Sequence, residues 1–225
     1  MTSDMKTRPI VVFGAGELAE VANFYFNEAD REVAAFTVDG ERLIEPHFCG
    51  RPVVAMEEVA AAFPPTSHDF FVAVGYSRIN GLRQSKCEAA FGLGYSLTSY
   101  VSRRASVFSN VAIGWNAFIL EDNTVQPFAK IGNGVTLWSG NHIGHHSTIG
   151  DFVFISSHVV ISGGVKVGER SFIGVNSTTN DHISIGERCI VGSGCLISQN
   201  LKDESVMSSE PAKLSRVPSS RLRGF

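Results

Sequence analysis

The chain has 225 residues, a net charge of −3 at pH 7 and only 18% charged residues. That length suits one large domain or two small ones with a real core, and so slight a charge excludes a binder driven by nucleic-acid phosphates. No apolar stretch approaches a membrane span, the N-terminal MTSDMKTRPIVVFGAG lacks a secretory apolar region, and the four cysteines form no CxxC pair, so the expectation is a reduced, cytoplasmic protein with no nucleic-acid or membrane partner.

The first hundred residues read as α/β. Ile10 to Phe13 is a short apolar run, the mark of a buried strand. Gly14-Ala15-Gly16-Glu17-Leu18-Ala19 fits G-x-G-x-x-A and opens a helix to about Glu28. A second strand runs from about Val33 to Val38 and ends at Asp39. A third, Phe70 to Val74, leads through Gly75-Tyr76-Ser77-Arg78 into a helix from about Ile79 to Phe91. This order predicts a small Rossmann-like βαβαβ domain over residues 1–98. A glycine turn between strand and helix suits a phosphate held by the Gly14 and Gly16 amides, with Asp39 on a ribose or base. A tight β–α turn without ligand has the same sequence. Half a dinucleotide fold does not suit a full dinucleotide.

From residue 101 the chain repeats every six residues. The hexads start at Val101, Val107, Ile113 and so on to Ile197, and only Thr179 among the starts is not aliphatic. Glycine often follows the start, as at Gly114, Gly144 and Gly168, and a small or β-branched residue stands four further on, as at Ala117, Ser147 and Val165. A period of six fits neither a helix nor an alternating strand. It predicts one face of a parallel β-helix, with three faces to a coil. The aliphatic starts stack inside, the small residue fills the inner corner, and glycine or asparagine permits the turn. The β-helix is expected over residues 99–204, with a tail over 205–225. Cys189 and Cys195 fall at the small inward position and read as packing.

Ser139-Gly140-Asn141-His142-Ile143-Gly144-His145-His146-Ser147 places three histidines within five residues. Residues 143 and 147 point inward, so His145 points outward. A metal needs converging ligands. His142 and His145 lie on different faces without a cysteine or carboxylate beside them, so no metal is expected.

A small nucleotide-binding domain followed by hexapeptide repeats resembles the PglD/NeuD-type nucleotide-sugar N-acetyltransferases of bacterial glycan synthesis. The likeness spans nearly the whole chain. It includes Phe71-Val72-Ala73-Val74-Gly75 and Pro211-Ala212-Lys213, which matches the family's closing PAK. The resemblance implies a left-handed β-helix and a homotrimer. It also implies acetyl-CoA as co-substrate in the groove between adjacent β-helices, and a nucleotide-linked amino sugar held against the N-terminal domain. His145 takes the place of the family's general base. His146 stands where many members have a carboxylate and is a candidate orienting partner. Phe154 replaces a second histidine, and Trp138 with the Ser139–His142 run departs from the pattern on the sugar's coil. Asn141 and His142 are candidate substrate contacts there.

Coil counting adds to this. Gly163 and Gly164 lie over His145 and His146 and leave room for a thioester, with the Gly163 amide placed as an oxyanion donor. Lys213 begins a basic tail running to Arg223, which either pairs with CoA phosphates or is a solvated terminus. Sugar O-acetylation by the same base is the near alternative. A β-helix scaffold without catalysis is the alternative from another class.

Overall fold

A computed structural model describes residues 7–221; residues 1–6 and Arg223, the end of the basic tail, lie outside it. The N-terminal sheet contains β1 (Ile10–Phe13), β2 (Val33–Val38), β3 (His47–Phe48), β4 (Arg51–Ala55), β5 (Asp69–Val72) and β6 (Ser96–Leu97). Its helices are α1 (Glu17–Glu28), α2 (Val59–Ala62) and α3 (Gly81–Gly92). The strand order is β3-β4-β2-β1-β5-β6. All pairings are parallel except the β3–β4 hairpin. The central strand β1 is buried along its length, as its unbroken apolar run requires of a parallel strand covered on both faces. The hairpin, α2 and β6 add to the expected βαβαβ unit. The hairpin turns at Cys49-Gly50, with φ of 49° and 71°. Two left-handed residues suit a two-residue hairpin, but Cys-Gly lacks the Asn-Gly signature by which such turns are read.

The second half is a left-handed parallel β-helix of two-residue strands. One face runs from Tyr100–Val101 to Val206–Met207, the next from Ser106–Val107 to Leu196–Ile197, the third from Ala112–Ile113 to Ser184–Ile185. Register advances by one coil at each pairing, as in Thr124↔His142 and His142↔Val160. The ladder continues past residue 204, since Val206–Met207 pairs with Ile190–Val191. The hexad starts stack in three interior columns, one to a face, with Ile119, Leu137 and Ile155 on the first and Ile143 and Ile161 on the second all fully buried.

Glycine or asparagine makes part of the turns, as expected, at Gly134, Gly140, Gly164, Gly194, Asn116 and Asn176, but other residues make the rest. From Ile113 to Val191 the left-handed residue is the third after each start, as at Asn116, Phe128, His146, Arg170 and His182, with φ between 52° and 67°. The glycine directly after the start serves close approach instead. A Cβ on Gly144 would lie 2.6 Å from the carbonyl carbon of Ser162 in the next coil. Thr179, the exception among the starts, is buried, and its Oγ1 accepts the Ser162 N–H at 2.8 Å. A buried hydroxyl thus finds a partner where an aliphatic residue would have none to offer.

The N-terminal domain docks on the first face and its leading corner. Tyr100, Phe118, Phe154 and Phe172 occupy one position of that face on four of five successive coils, with Thr136 between Phe118 and Phe154. Phe71 lies 5.1 Å from Phe26 and 5.4 Å from Phe118, ring to ring, and Tyr76 lies 4.9 Å from Phe172. Such pairs contribute about 0.5–1.5 kcal/mol each beyond area burial. The corner column adds polar ties. Asn116 accepts the Val72 N–H at 2.7 Å and donates to the Val72 carbonyl at 3.3 Å. Arg83, 1% exposed, donates Nε to Gly134 O at 2.8 Å and Nη2 to Phe152 O at 2.7 Å. Its Nη1 donates to the carbonyls of Val74 and Gly75 at 3.1 and 2.9 Å. Burial lowers the guanidinium to about 10, and the four carbonyls take the place of a counter-anion.

Candidate active site

His145 occupies the corner between the second and third faces and is exposed, as its place in the hexad requires. Its backbone N–H donates to Gln126 Oε1 at 2.9 Å, and its carbonyl accepts the Gly164 N–H at 2.8 Å. The imidazole is fixed from one side. His145 Nδ1 lies 3.1 Å from His146 Nδ1. One of the two nitrogens donates and the other accepts. When His145 carries its proton on Nδ1, its Nε2 presents a free lone pair. His146, with φ of 58°, stacks on Phe128 at 4.7 Å and 28°. Phe128, 58% exposed, is thus the floor that holds the orienting imidazole. Gln126 and Phe128 were not singled out in the sequence. Both stand one coil below the histidines, at a spacing that could have marked them.

The glycine pair meets two rings. A Cβ on Gly163 would lie 2.8 Å from both Cε1 and Nε2 of His145. A Cβ on Gly164 would lie 2.3 Å from Nδ1 of His182. Imidazoles from the coils on either side therefore converge on adjacent glycines, and the absent side chains make their space. His182 borders this platform from the coil above. The expectation of a free Gly163 amide needs correction: that N–H donates to Asp181 Oδ1 at 2.8 Å. The same tie from an acid or amide to the coil below recurs at Asp151 with Asn133 and at Asp203 with Glu187.

Asn141 also departs from expectation. It is 1% exposed, donates Nδ2 to Trp138 O and accepts the Val159 N–H at 2.8 Å. Its carboxamide is consumed by corner backbone groups and faces no substrate. His142 is half-buried on the second face, between Thr124 and Val160. Lys213 lies in an exposed segment and makes no hydrogen bond or ion pair among the described residues.

A second cleft, of about 460 Å³, opens at the carboxyl ends of β1, β2 and β5. That is where open α/β sheets bind ligands. Gly14, Asp39, Arg42, Ser77, Arg78 and Lys86 are among its lining residues. Gly14 has φ of 124°, and a Cβ there would lie 2.9 Å from the Ala73 carbonyl oxygen. This is close approach of backbone to backbone. The Gly14 N–H is spent on Thr37 O at 2.9 Å, so it is not the phosphate donor the glycine pattern suggests. Gly16 is the N-cap of α1 and does not line the cleft. Asp39 is there as expected, but its Oδ1 pairs with Lys86 Nζ, which also sits 5.1 Å over the Phe13 ring. The first turn of α1 carries Glu17 and Glu20, which oppose an anion at that helix end. The cationic side chains that line the cleft are Arg42, Arg78 and Lys86.

The two domains meet again at Glu121. Its carboxylate accepts Tyr25 Oη and Ser139 Oγ, each at 2.6 Å. Burial alone pushes this carboxyl up. Hydrogen bonds from Ser139, Tyr25 and its own amide, with Arg104 nearby, outweigh it and hold the group below its ordinary value. Tyr25 is raised to about 12, chiefly by burial and then by this bond. Among the described residues no group of three or more His, Cys, Asp or Glu side chains is arranged to hold a metal ion, and no helix is long and apolar enough to cross a membrane.

Family models match the repeats: the bacterial transferase hexapeptide (six repeats) over residues 128–163 and the hexapeptide repeat of succinyl-transferase over residues 164–199. No curated protein matches the chain. Solved structures do. PerB from Caulobacter crescentus, in complex with CoA and GDP-perosamine, is 26% identical, with a TM-score of 0.81 over 92% of this chain and 97% of that one. A variant of perosamine N-acetyltransferase from the same organism with a histidine replaced by asparagine, also with CoA and GDP-perosamine, is 25% identical, with a TM-score of 0.82 over 92% and 96%. The acetyltransferase domain of PglB from Neisseria gonorrhoeae, in complex with acetyl coenzyme A, is 25% identical, with a TM-score of 0.81 over 92% and 98%.

Proposed function

We propose that this chain, a hexapeptide-repeat acyltransferase of the nucleotide-sugar N-acetyltransferase kind, moves an acetyl group from acetyl-CoA directly to the amine of a nucleotide-linked amino sugar, with His145 as general base. The observation that carries the reading is the His145 imidazole held by His146 on one side and laid against Gly163 on the other. The amine attacks the thioester carbonyl over the Gly163–Gly164 platform. His145 Nε2 takes the proton from that nitrogen and returns it to the departing CoA sulfur. A base so placed contributes about 10²–10⁴-fold. The Gly163 N–H serves the oxyanion that develops on the thioester oxygen by exchanging Asp181 for it, one charge-assisted bond for another. No acyl-cysteine is needed: Cys189 and Cys195 are buried, and burial pushes Cys87 up to about 12.

The nucleotide lies in the N-terminal cleft, where Arg42, Arg78 and Lys86 meet its phosphates and Asp39 its ribose or base. Three copies assemble so that the outward His145 corner faces a neighbour across the CoA groove. Phe128 at 58%, Leu196 at 61% and Val160 at 38% exposure, all on that side, support such a covering. The cysteines are unpaired, which suits the cytoplasm. The test is purified protein mixed with acetyl-CoA and UDP-, GDP- and dTDP-linked amino sugars, with thiol release followed. Release with at least one is expected, and none with its amine-blocked form. Release that survives amine blocking means O-acetylation. Silence with all three favours a scaffold and overturns the proposal.

A further inference from the structure

We propose that Arg170, a residue of the β-helix, is a positioning residue for the nucleotide cleft of the other domain. The inference rests on the reading of that cleft as the nucleotide-sugar site. Between β5 and α3 the chain passes through Arg78, Ile79 and Asn80, with φ of 54°, 50° and 59°. Three consecutive left-handed residues without a glycine are rare, and a β-branched isoleucine suits that region worst. Such a segment persists only where its surroundings over-determine it.

Those surroundings come from the β-helix. Arg170 donates Nε to Ile79 O and Nη2 to Arg78 O, each at 3.2 Å. Asn80, fully buried, returns Nδ2 to the carbonyls of Arg170 and Ser171 at 2.8 and 3.2 Å. Its Oδ1 finds no partner among the described residues. An orphaned buried oxygen beside a strained backbone is costly and calls for a reason, which a site can supply. The held segment has one visible consequence. Ser77 and Arg78 line the cleft, while Arg170 does not. Arg170 thus acts through Arg78: it fixes the carbonyls on the far side of the segment and so fixes where the Arg78 guanidinium meets a diphosphate. The guanidinium fork serves two carbonyls at once, which a lysine cannot match.

The space for this fork is specific. A Cβ on Gly81, the first residue of α3, would lie 2.5 Å from Arg170 Nη2. Only the end of a flexible side chain blocks it, so Gly81→Ala displaces the fork while leaving the helix free to form. Two unrelated changes therefore break one contact.

The experiment measures binding of UDP, GDP and dTDP, and separately of CoA, to wild type, Arg170→Gln, Arg170→Lys, Gly81→Ala and Arg78→Ala, with thermal unfolding alongside. Arg170→Gln and Gly81→Ala should weaken the preferred diphosphate about 10-fold, Arg170→Lys less, and CoA within twofold of wild type. In turnover the loss should fall on KM for the nucleotide sugar and spare kcat. If Arg78→Ala weakens the diphosphate while Arg170→Gln and Gly81→Ala do not, the positioning role is overturned and the cleft stands. Equal loss of CoA binding in these variants marks general damage and also overturns it. A wild type that binds none of the three diphosphates removes the cleft reading itself.

Discussion

His145 and Gly163 share one space: the imidazole of the first fills the volume that a side chain on the second would claim, with Cε1 and Nε2 both 2.8 Å from that point. Gly163→Ala should therefore displace the ring without harming the fold, because the blocking atoms end a side chain and Gly163 is not in the left-handed region. A shift of about 1 Å at a reacting group costs on the order of 10²-fold. The expected result is that loss in kcat with unchanged melting temperature. Wild-type kcat in this variant would mean the ring's position does not matter.

Among the described residues, His146 is the hydrogen-bond partner of the His145 imidazole. His146→Phe keeps the aromatic stack on Phe128 and removes the nitrogen. Turnover should drop about 10-fold, less than the roughly 10²–10⁴-fold that loss of the base itself costs, because the base stays in place. His146→Asp should recover most of it, since aspartate tolerates a left-handed backbone and supplies an acceptor. Equal activity of the two variants would deny His146 an orienting role.

Asp181 accepts the Gly163 N–H. Removing it by Asp181→Ala frees that amide for a thioester oxygen at a stability loss of about 1 kcal/mol. Steady-state kinetics should show kcat equal to or above wild type. A fall of 10-fold or more would show that Asp181 takes part in the reaction and is not a competitor for the amide.

Glu121 ties the domains together through Tyr25 and Ser139. Its carboxyl is lower in the folded protein than the ordinary 4.5, so the stability it gives is complete above 4.5 and is lost as pH falls through the depressed folded value. Melting curves across the acid range should show wild type losing more stability than Glu121→Gln, which has no carboxyl to titrate. Tyr25 runs the other way. Raised to about 12 from 10.0, it stabilises fully below 10.0 and loses that contribution as pH climbs towards about 12. Tyr25→Phe should flatten the alkaline limb, and an unchanged limb would discount the bond.

The β-helix is legible in the sequence because a buried column forces an aliphatic residue at every sixth place, and even Thr179 breaks the rule only by finding a partner for its hydroxyl. His145 is legible for the same reason: a corner position outside the inward column must face out. The domain interface was missed although its signal was present at a longer period. Tyr100, Phe118, Phe154 and Phe172 recur at multiples of one coil on one face, broken only by Thr136, and Asn116, Gly134, Phe152 and Arg170 recur every coil on one corner. A six-residue reading averages over faces and hides what one face does. Asn141 and the Gly163 amide misled because a sequence shows polar groups without showing which are already spent on the backbone.

The most direct test is a single-turnover rate of acetyl transfer for His145→Ala against wild type, with CoA affinity measured on the same samples. A rate lower by about 10²–10⁴-fold at unchanged CoA affinity is expected of a lost general base. Transfer at the wild-type rate would contradict the account.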